Sequence, residues 1–345
     1  MTDTDNITVD AFYENYHNIR HELSKAVVGQ AKAIDHLLTT IFARGHALLK
    51  GFPGLGRTLI VKTMAEVMGL DYGRIQFTPD LLPTDITGTE VLENDREGKG
   101  RHFRFFKGPI FANLVLADEV NRSPARTQSA LLEVMQEKQV SMGGQTYFLP
   151  KPFILIATQN TLDTEGVFAL GEAQVDRFLT MVEQDFPSDK EEEQIIYCTT
   201  GTFTTDIKQV VNPETIIAMQ NLAREVPVVP SIKEFALSII RSSRKDEPGS
   251  DPEISRYVRL GASPRATQAL ILLGKVRALT KGRFHVNRQD IVDAATPVLA
   301  HRVLIDFRAK ADGIDHIYVI NRLIERALAL SKPNVSLWTR ELLNV

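Results

Sequence analysis

"HALLKGFPGLGRTLIVKTMAE", His46 to Glu66, reads as a short apolar strand, a glycine-rich loop and a helix. Gly51, Gly54 and Gly56 let backbone N–H groups turn inward around phosphate oxygens, and the helix beginning at Thr58 aims its positive dipole end at them. The frame is that of a phosphate-gripping loop, G-x-x-x-x-G-K-[ST], except that Arg57 stands at the lysine position. Thr58 supplies a hydroxyl suited to Mg²⁺. Pro53, Leu55 and Leu59 complete the loop as further candidate nucleotide contacts.

Outward from this loop, short β-rich runs alternate with helices. "HALLK" ends at Lys50, "YGRIQF" at Phe77, "NLVLA" at Ala117, "FILIAT" at Thr158 and "FLTMVE" at Glu183. Each is bounded by polar or turn residues, so each reads as a buried strand of a mostly parallel sheet. Before them, apolar residues from Ala11 to about Ala43 recur at three and four, which predicts two helices broken at "VVGQ", Val27 to Gln30. After "DFPSDK", Asp185 to Lys190, the strand texture stops. Amphipathic helices are expected over Pro230–Lys245, Pro264–Leu279 and Arg288–Phe307. The resulting fold class is a P-loop α/β sheet flanked by helices, followed by an all-helical lid, with domains at 1–186 and 187–345 and a boundary near Pro187.

Two further strand ends carry chemistry. Four apolar residues of "NLVLADEVNR" bring Asp118 and Glu119 to the strand's carboxyl end, where α/β sheets place ligands. Asp118 is suited to hold Mg²⁺ through water, and Glu119 to orient and deprotonate an attacking water. An Asp-Glu pair at such a point is otherwise a solvated helix cap, and the glycine loop upstream favours the catalytic reading. "FILIATQN" repeats the geometry and ends in Asn160, whose neutral amide can bond both phosphate and water without competing for the proton.

Composition sets outer limits. The 345 residues are 43% hydrophobic and 24% charged, as in an ordinary globular protein. Lys and Arg total 40 against 43 Asp and Glu, a net charge of −3, so no global field draws the chain to nucleic acid or anionic membrane. Cys198 is the only cysteine, which excludes an intrachain disulfide framework and points to a reducing, cytoplasmic setting with that thiol as filler. The eight histidines form no zinc spacing, and His21-Glu22 lacks the second histidine of H-E-x-x-H. Nothing resembles a signal peptide or a run of about 18 apolar residues.

Taken together, the motifs resemble the MoxR family of AAA+ ATPases from about Val27 to Arg308. The resemblance is carried by "VVGQ", "GFPGLGRT", "QFTPDLLPTDITGTEVL" (Gln76 to Leu92), "GPIFANLVLADEVNRSPARTQSALLEVMQE" (Gly108 to Glu137), "ATQN", "GEAQVDRF" (Gly171 to Phe178) and "GASPRAT" (Gly261 to Thr267). The Gly108 to Glu137 block is the most specific of these. The resemblance implies a ring, usually a hexamer, with ATP at subunit interfaces. It implies that Arg177 reaches the γ-phosphate of a neighbour, that Arg265 is a second sensor and that Gln30 lies on the adenine side. It also implies a protein client, often one with a von Willebrand A domain, and a chaperone-like role. "RHFRFFKG" and "QVSMGGQTYFLPKPF" are alternating segments with turns and read as hairpins. In the family such hairpins face ring pore or substrate.

The chain departs from the family pattern at Arg57 and at Thr161-Leu162, where a proline is common. Three functions follow: an ATP-driven remodeller of a partner protein, a nucleotide-gated scaffold with little hydrolysis, and a DNA-handling motor. Against the motor stand the slightly acidic balance and the lack of an appended zinc or winged-helix module. "RHFRFFK", Arg101 to Lys107, could stack on bases, though its aromatics are expected to pack on the domain.

Overall fold

The computed structural model describes residues 7–94, 101–160, 167–201, 205–245, 247 and 249–330. The departure at Thr161-Leu162 lies outside them. Two compact units are present. The first takes in the chain through Val226 together with Lys275–Phe284, and the second takes in Pro227–Gly274 with the chain from His285.

The first unit is built on five parallel strands: β1 (Ala47–Gly51), β2 (Tyr72–Gln76), β3 (Leu114–Asp118), β4 (Ile154–Asn160) and β5 (Thr180–Glu183), in the order β2-β3-β4-β1-β5. Every residue of β3 is buried, as its unbroken apolar run requires of a strand covered on both faces. The register sets Gly51 opposite Asn160, Gln76 opposite Asp118 and Lys50 opposite Glu183, so the strands' carboxyl ends share one edge. Helices α1 (Val9–Ala26), α2 (Ala31–Phe42), α3 (Arg57–Val67) and α4 (Ala125–Glu137) belong to the same unit. The break between α1 and α2 falls at the expected "VVGQ", where Gly29 turns at φ +75°. Phe12 of α1 meets Phe42 of α2 edge to face with ring centroids 5.4 Å apart, both fully buried.

Both expected hairpins form. Gly88–Asn94 pairs with Arg101–Lys107, and Gln139–Met142 with Gln145–Phe148. Phe105 stacks on Tyr147 at 4.3 Å and meets Phe111, whereas Phe103 and Phe106 stay exposed. The basic aromatic segment is thus half packed and half presented.

The boundary expected near Pro187 falls inside the first unit. Helices α5 (Asp189–Thr200) and α6 (Pro213–Glu225) follow it, and their segment runs back over the α/β layer. The Gln220 amide donates to the Ile41 carbonyl at 2.8 Å, Val210 N–H to the Val67 carbonyl at 2.8 Å, and Lys208 N–H to Glu22 at 2.8 Å. Composition marks where strands stop, but these bonds decide where the unit stops.

The second unit holds α7 (Pro230–Ser242), α8 (Pro264–Leu279), α9 (Arg288–Leu299) and α10 (His316–Leu330), with the turns of α8 beyond Gly274 counted in the first unit. One expected helix is shorter than its periodicity suggested. Arg288–Phe307 ends as α9 at Leu299, because Arg302 folds back to donate to the Val298 carbonyl at 2.8 Å and Asp306 caps a separate helix, Phe307–Ala311. Between them Leu304–Ile305 pairs antiparallel with Val258–Leu260, so strand texture does not stop completely after Lys190.

The buried imidazole of His46, just before β1, accepts the Leu155 N–H at Nδ1 over 2.9 Å, and burial pushes its pKa down to about 3. The folded state therefore keeps His46 neutral, and acid favours the unfolded chain, where the imidazole protonates near pH 6.5. Stability is lost as pH falls from about 6.5 toward 3, at roughly 1.4 kcal/mol per pH unit. Between pH 7 and 5 this group alone should remove about 2 kcal/mol from the first unit. Urea unfolding of His46→Gln at the two pH values checks it, with a correspondingly flatter profile expected.

Candidate nucleotide site

The glycine loop connects β1 to α3. Gly54 and Gly56 sit at φ +85° and +72°, a region that suits glycine, and a Cβ on either would meet nothing within 4 Å. Gly56 is the N-cap of α3, so Arg57, Thr58 and Leu59 form its first turn with their N–H groups unclaimed by the helix itself. Pro53 and Leu59 are exposed, Leu55 and Thr58 half-buried. The helix begins one residue before the expected Thr58.

Arg57 is buried, and its guanidinium is turned toward the sheet edge. Nη2 donates to the Phe52 carbonyl at 3.0 Å and Nε to Gln184 Oε1 at 3.1 Å. Gln184 follows β5, where its N–H donates to the Lys50 carbonyl at 2.9 Å. Its amide nitrogen reaches both the Leu55 carbonyl and Gln30 Oε1 at 3.3 Å, and Gln30 in turn donates to the Asp185 carbonyl at 3.1 Å. A polar chain thus links the loop cation to the expected adenine-side residue through a glutamine that sequence reading passed over. Desolvation pushes the Arg57 guanidinium below its usual range, opposed by the charges of Asp118 and Glu119.

Beside Gln30 and the loop lies a cavity of about 250 Å³, walled by Val27, Val28, Leu55, Leu59, Ile195 and Cys198 among others. Its apolar walls suit a flat base. Cys198, expected to be filler, lines it.

At the end of β3 the two carboxylates are organised by Thr158 of β4. The Thr158 hydroxyl donates to Asp118 Oδ1 at 2.8 Å and accepts the Glu119 N–H at 2.8 Å. Asp118 Oδ2 takes Arg74 Nη2 at 2.7 Å, and Glu119 Oε2 takes the Gln76 amide at 3.0 Å and Arg122 Nε at 3.2 Å. Glu119 holds φ +58°, one of three non-glycine residues in the left-handed region among those described, a strain that recurs at functional positions. Asn160 is the buried last residue of β4, level with Gly51. Arg74, Gln76, Thr158 and Gln184 were missed because each acts across a strand pairing that one sequence does not display. Their only signal was polarity at the carboxyl end of an apolar run.

The two arginines implied by the family resemblance are carried by other elements. Arg177 follows the short helix Glu172–Val175 and donates to the Leu132 carbonyl of α4 at 3.4 Å. Arg265 lies in the first turn of α8, in the second unit.

Among the described residues no group of three or more His, Cys, Asp and Glu side chains could hold a metal. The donors at the edge, one carboxylate at Asp118 and the Thr58 hydroxyl, suit a Mg²⁺ that takes most of its oxygens from phosphates and water. No helix among the described residues is long and apolar enough to cross a membrane.

A glycine cradle between parallel strand and helix, acidic residues two strands away across β4 and a helical second unit define a P-loop ATPase of the AAA+ class. Residues 46–180 match the ATPase family associated with various cellular activities (AAA), and residues 252–322 match the AAA lid domain. The chain is 41% identical over 313 residues to chaperone MoxR1 of Mycobacterium tuberculosis, covering 91% of this chain and 81% of that one. It is 35% identical over 319 residues to the uncharacterised YeaC of Bacillus subtilis, covering 91% and 96%. A crystal structure from Cytophaga hutchinsonii, assigned provisionally as an ATPase, superposes with a TM-score of 0.84 at 36% identity, covering 92% of this chain and 96% of the other. The chain belongs to the MoxR family of AAA+ ATPases, as its motifs had suggested.

Thr158→Val should cost about 1–3 kcal/mol, because it strands Asp118 Oδ1 and the buried side of the Glu119 N–H, whereas Thr158→Ser should cost little. Thermal melting of the two variants distinguishes a hydroxyl link from mere packing.

Proposed function

We propose that the chain binds ATP or ADP with Mg²⁺ at the shared strand edge and uses slow hydrolysis to remodel or activate a partner protein. The observation that carries this reading is the coexistence of an intact glycine cradle with an arginine whose guanidinium is tied to the loop's own Phe52 carbonyl and to Gln184. Gly51, Gly54, Gly56 and the first turn of α3 offer backbone donors that need no side chain, so nucleotide affinity should survive. Arg57, in contrast, is tied through Nη2 to Phe52 and through Nε to Gln184, so swinging its fork onto a phosphate competes with these two bonds. A lysine reaches as a compact ammonium, while the guanidinium brings a longer planar fork. A misplacement near 1 Å costs on the order of 10² in rate. A scaffold that binds nucleotide and scarcely turns over is the limit of this reading.

In the catalytic step Glu119 takes the proton of the attacking water, Asp118 and Thr58 hold the cation, and Asn160 hydrogen-bonds water and phosphate. Gln30 and the apolar cavity take the base. Arg57 and the N–H groups of the loop, including those of Leu55 and Leu59, bind the phosphates. Mg²⁺ when bound supplies charge neutralisation of the phosphates. Arg177, engaged with α4, is assigned to a neighbour's site in a hexameric ring, and Arg265 to the second-sensor role. Such a cation is worth up to roughly 10³–10⁵ in rate in other NTPases. The client is a protein, with a von Willebrand A domain as the expected kind, and the setting is the cytoplasm. Chaperone MoxR1, by its name, supports the remodelling role. The exposed Phe103 and Phe106, with Arg104 over the Phe106 ring at 5.2 Å, keep a strand-handling motor as the second reading. Stimulation of turnover by single-stranded DNA would favour it.

Mixing two inactive variants tests the shared site. Glu119→Gln should bind ATP and not hydrolyse it, and Arg177→Ala should do the same. Mixed, they should regain part of the parent rate at interfaces that pair an intact base with an intact arginine. Full hydrolysis by a monomer at every protein concentration contradicts the ring.

A further inference from the structure

The three described non-glycine residues with positive φ are Arg44 at +59°, Glu119 at +58° and Lys138 at +54°. Glu119 belongs to the nucleotide edge. The other two line a separate cavity of about 780 Å³ at the opposite, amino-terminal edge of the sheet, beside the residues that enter β1 and β4. Arg44, Lys138 and Lys151 supply its charge, and Phe148, Phe153 and Ile217 much of its apolar wall. Arg224, in the last turn of α6, lies close enough to lower the pKa values of both Arg44 and Lys138.

These four cations are not fully balanced by the carboxylate and helix ends around them. Among the described residues none of them forms an ion pair, and the Arg44 guanidinium is held only by the Asn221 side-chain oxygen. Glu137 is the one carboxylate in the lining. Desolvation pushes Arg44 and Lys138 below their usual ranges, with Arg224 repelling both and Arg44 and Lys151 adding to the pressure on Lys138. A bland explanation is that cations gather where α2, α4 and α6 end, because helix carboxyl ends are negative. Each end amounts to roughly half a charge, so three ends and Glu137 offset about 2.5 of the four positive charges. About 1.5 remain, in a place that repels its own occupants.

We propose that this cavity binds an acidic segment of a protein partner, with a carboxylate among the cations and an apolar or aromatic neighbour against Phe148 and Phe153. Charge complementarity names the anion, and the apolar wall argues for a peptide over a nucleic-acid backbone. A volume of this size accepts a few side chains, not a duplex. The chain's net charge of −3 also gives a polyanion no long-range attraction. Phe148 is 74% exposed and offers an anchor of the kind found at binding hot spots.

The cavity also sits where movement would matter. Lys138 is the C-cap of α4, and its carbonyl accepts the Leu149 N–H at 3.0 Å, closing the base of the Gln139–Phe148 hairpin. Helix α4, about 20 Å long by its rise, joins this base to the turn that carries Glu119. That a bound segment reports to hydrolysis rests on the remodeller reading; that the segment binds does not.

The test uses a fluorescein-labelled peptide, Asp-Phe-Asp-Leu-Glu-Phe, and its neutral counterpart with Asn and Gln, titrated by anisotropy against nucleotide-free full-length protein. The acidic peptide should bind saturably and the neutral one at least about tenfold more weakly, a difference of about 1.4 kcal/mol. Lys151→Glu and Arg224→Glu, both at exposed positions, should each weaken the acidic peptide about tenfold while leaving nucleotide affinity unchanged. Equal binding of the two peptides, no saturable binding, or unaltered affinity in both variants would overturn the proposal, as would equally effective displacement by a single-stranded oligodeoxynucleotide. Peptide binding that leaves ATP turnover unchanged would keep the cavity and remove the remodeller link.

Discussion

The parallel pairing of Ala47–Gly51 with Ile154–Asn160 on one side and Thr180–Glu183 on the other is the constraint on which the rest depends. It sets the glycine loop, Asn160 and Gln184 at one edge, and the next pairing adds Asp118 from Leu114–Asp118. A one-residue slip in any of these strands would turn its side chains to the other face. The buried apolar runs that make the sheet cohesive therefore also aim the polar residues at its end. The same arrangement gives the sheet an opposite edge, and there the helix ends bring their cations together.

Within that frame Arg57 is settled by competition. Its charge is drawn by Asp118 and Glu119 and would be drawn by phosphate, yet burial disfavours the charge and two hydrogen bonds tie the fork to Phe52 and Gln184. A hydrogen bond to a charged group is worth about 1.5–3 kcal/mol. Two such bonds are large enough to hold the fork in place and small enough to be exchanged for phosphate contacts. On the proposed reading binding and turnover separate, because the backbone donors of the cradle need no side chain while the fork's position bears on the reacting phosphate.

Much of this was legible in the sequence. The five strand runs, the glycine loop, the Asp118-Glu119 pair and both hairpins could be read because each is a local pattern. Gln184, Thr158, Arg74 and the true extent of the first unit could not, because they depend on which strands are neighbours. Thr158 looks like any β-branched residue in an apolar strand until Asp118 lies beside it. The end of Arg288–Leu299 was misread because the apolar periodicity continues through a turn that Arg302 and Asp306 close. The cationic cavity gave no sequence signal, since Arg44, Lys138, Lys151 and Arg224 are far apart along the chain.

The central claim is that the arginine in the loop leaves nucleotide affinity largely intact and slows the chemical step. Single-turnover ATP hydrolysis and equilibrium nucleotide binding, measured side by side for the parent protein and Arg57→Lys, test it most directly. The account predicts similar affinities and substantially faster hydrolysis in the lysine-bearing variant, on the order of 10² for a misplacement near 1 Å. Equal turnover in the two proteins, or no nucleotide binding by the parent, would contradict it.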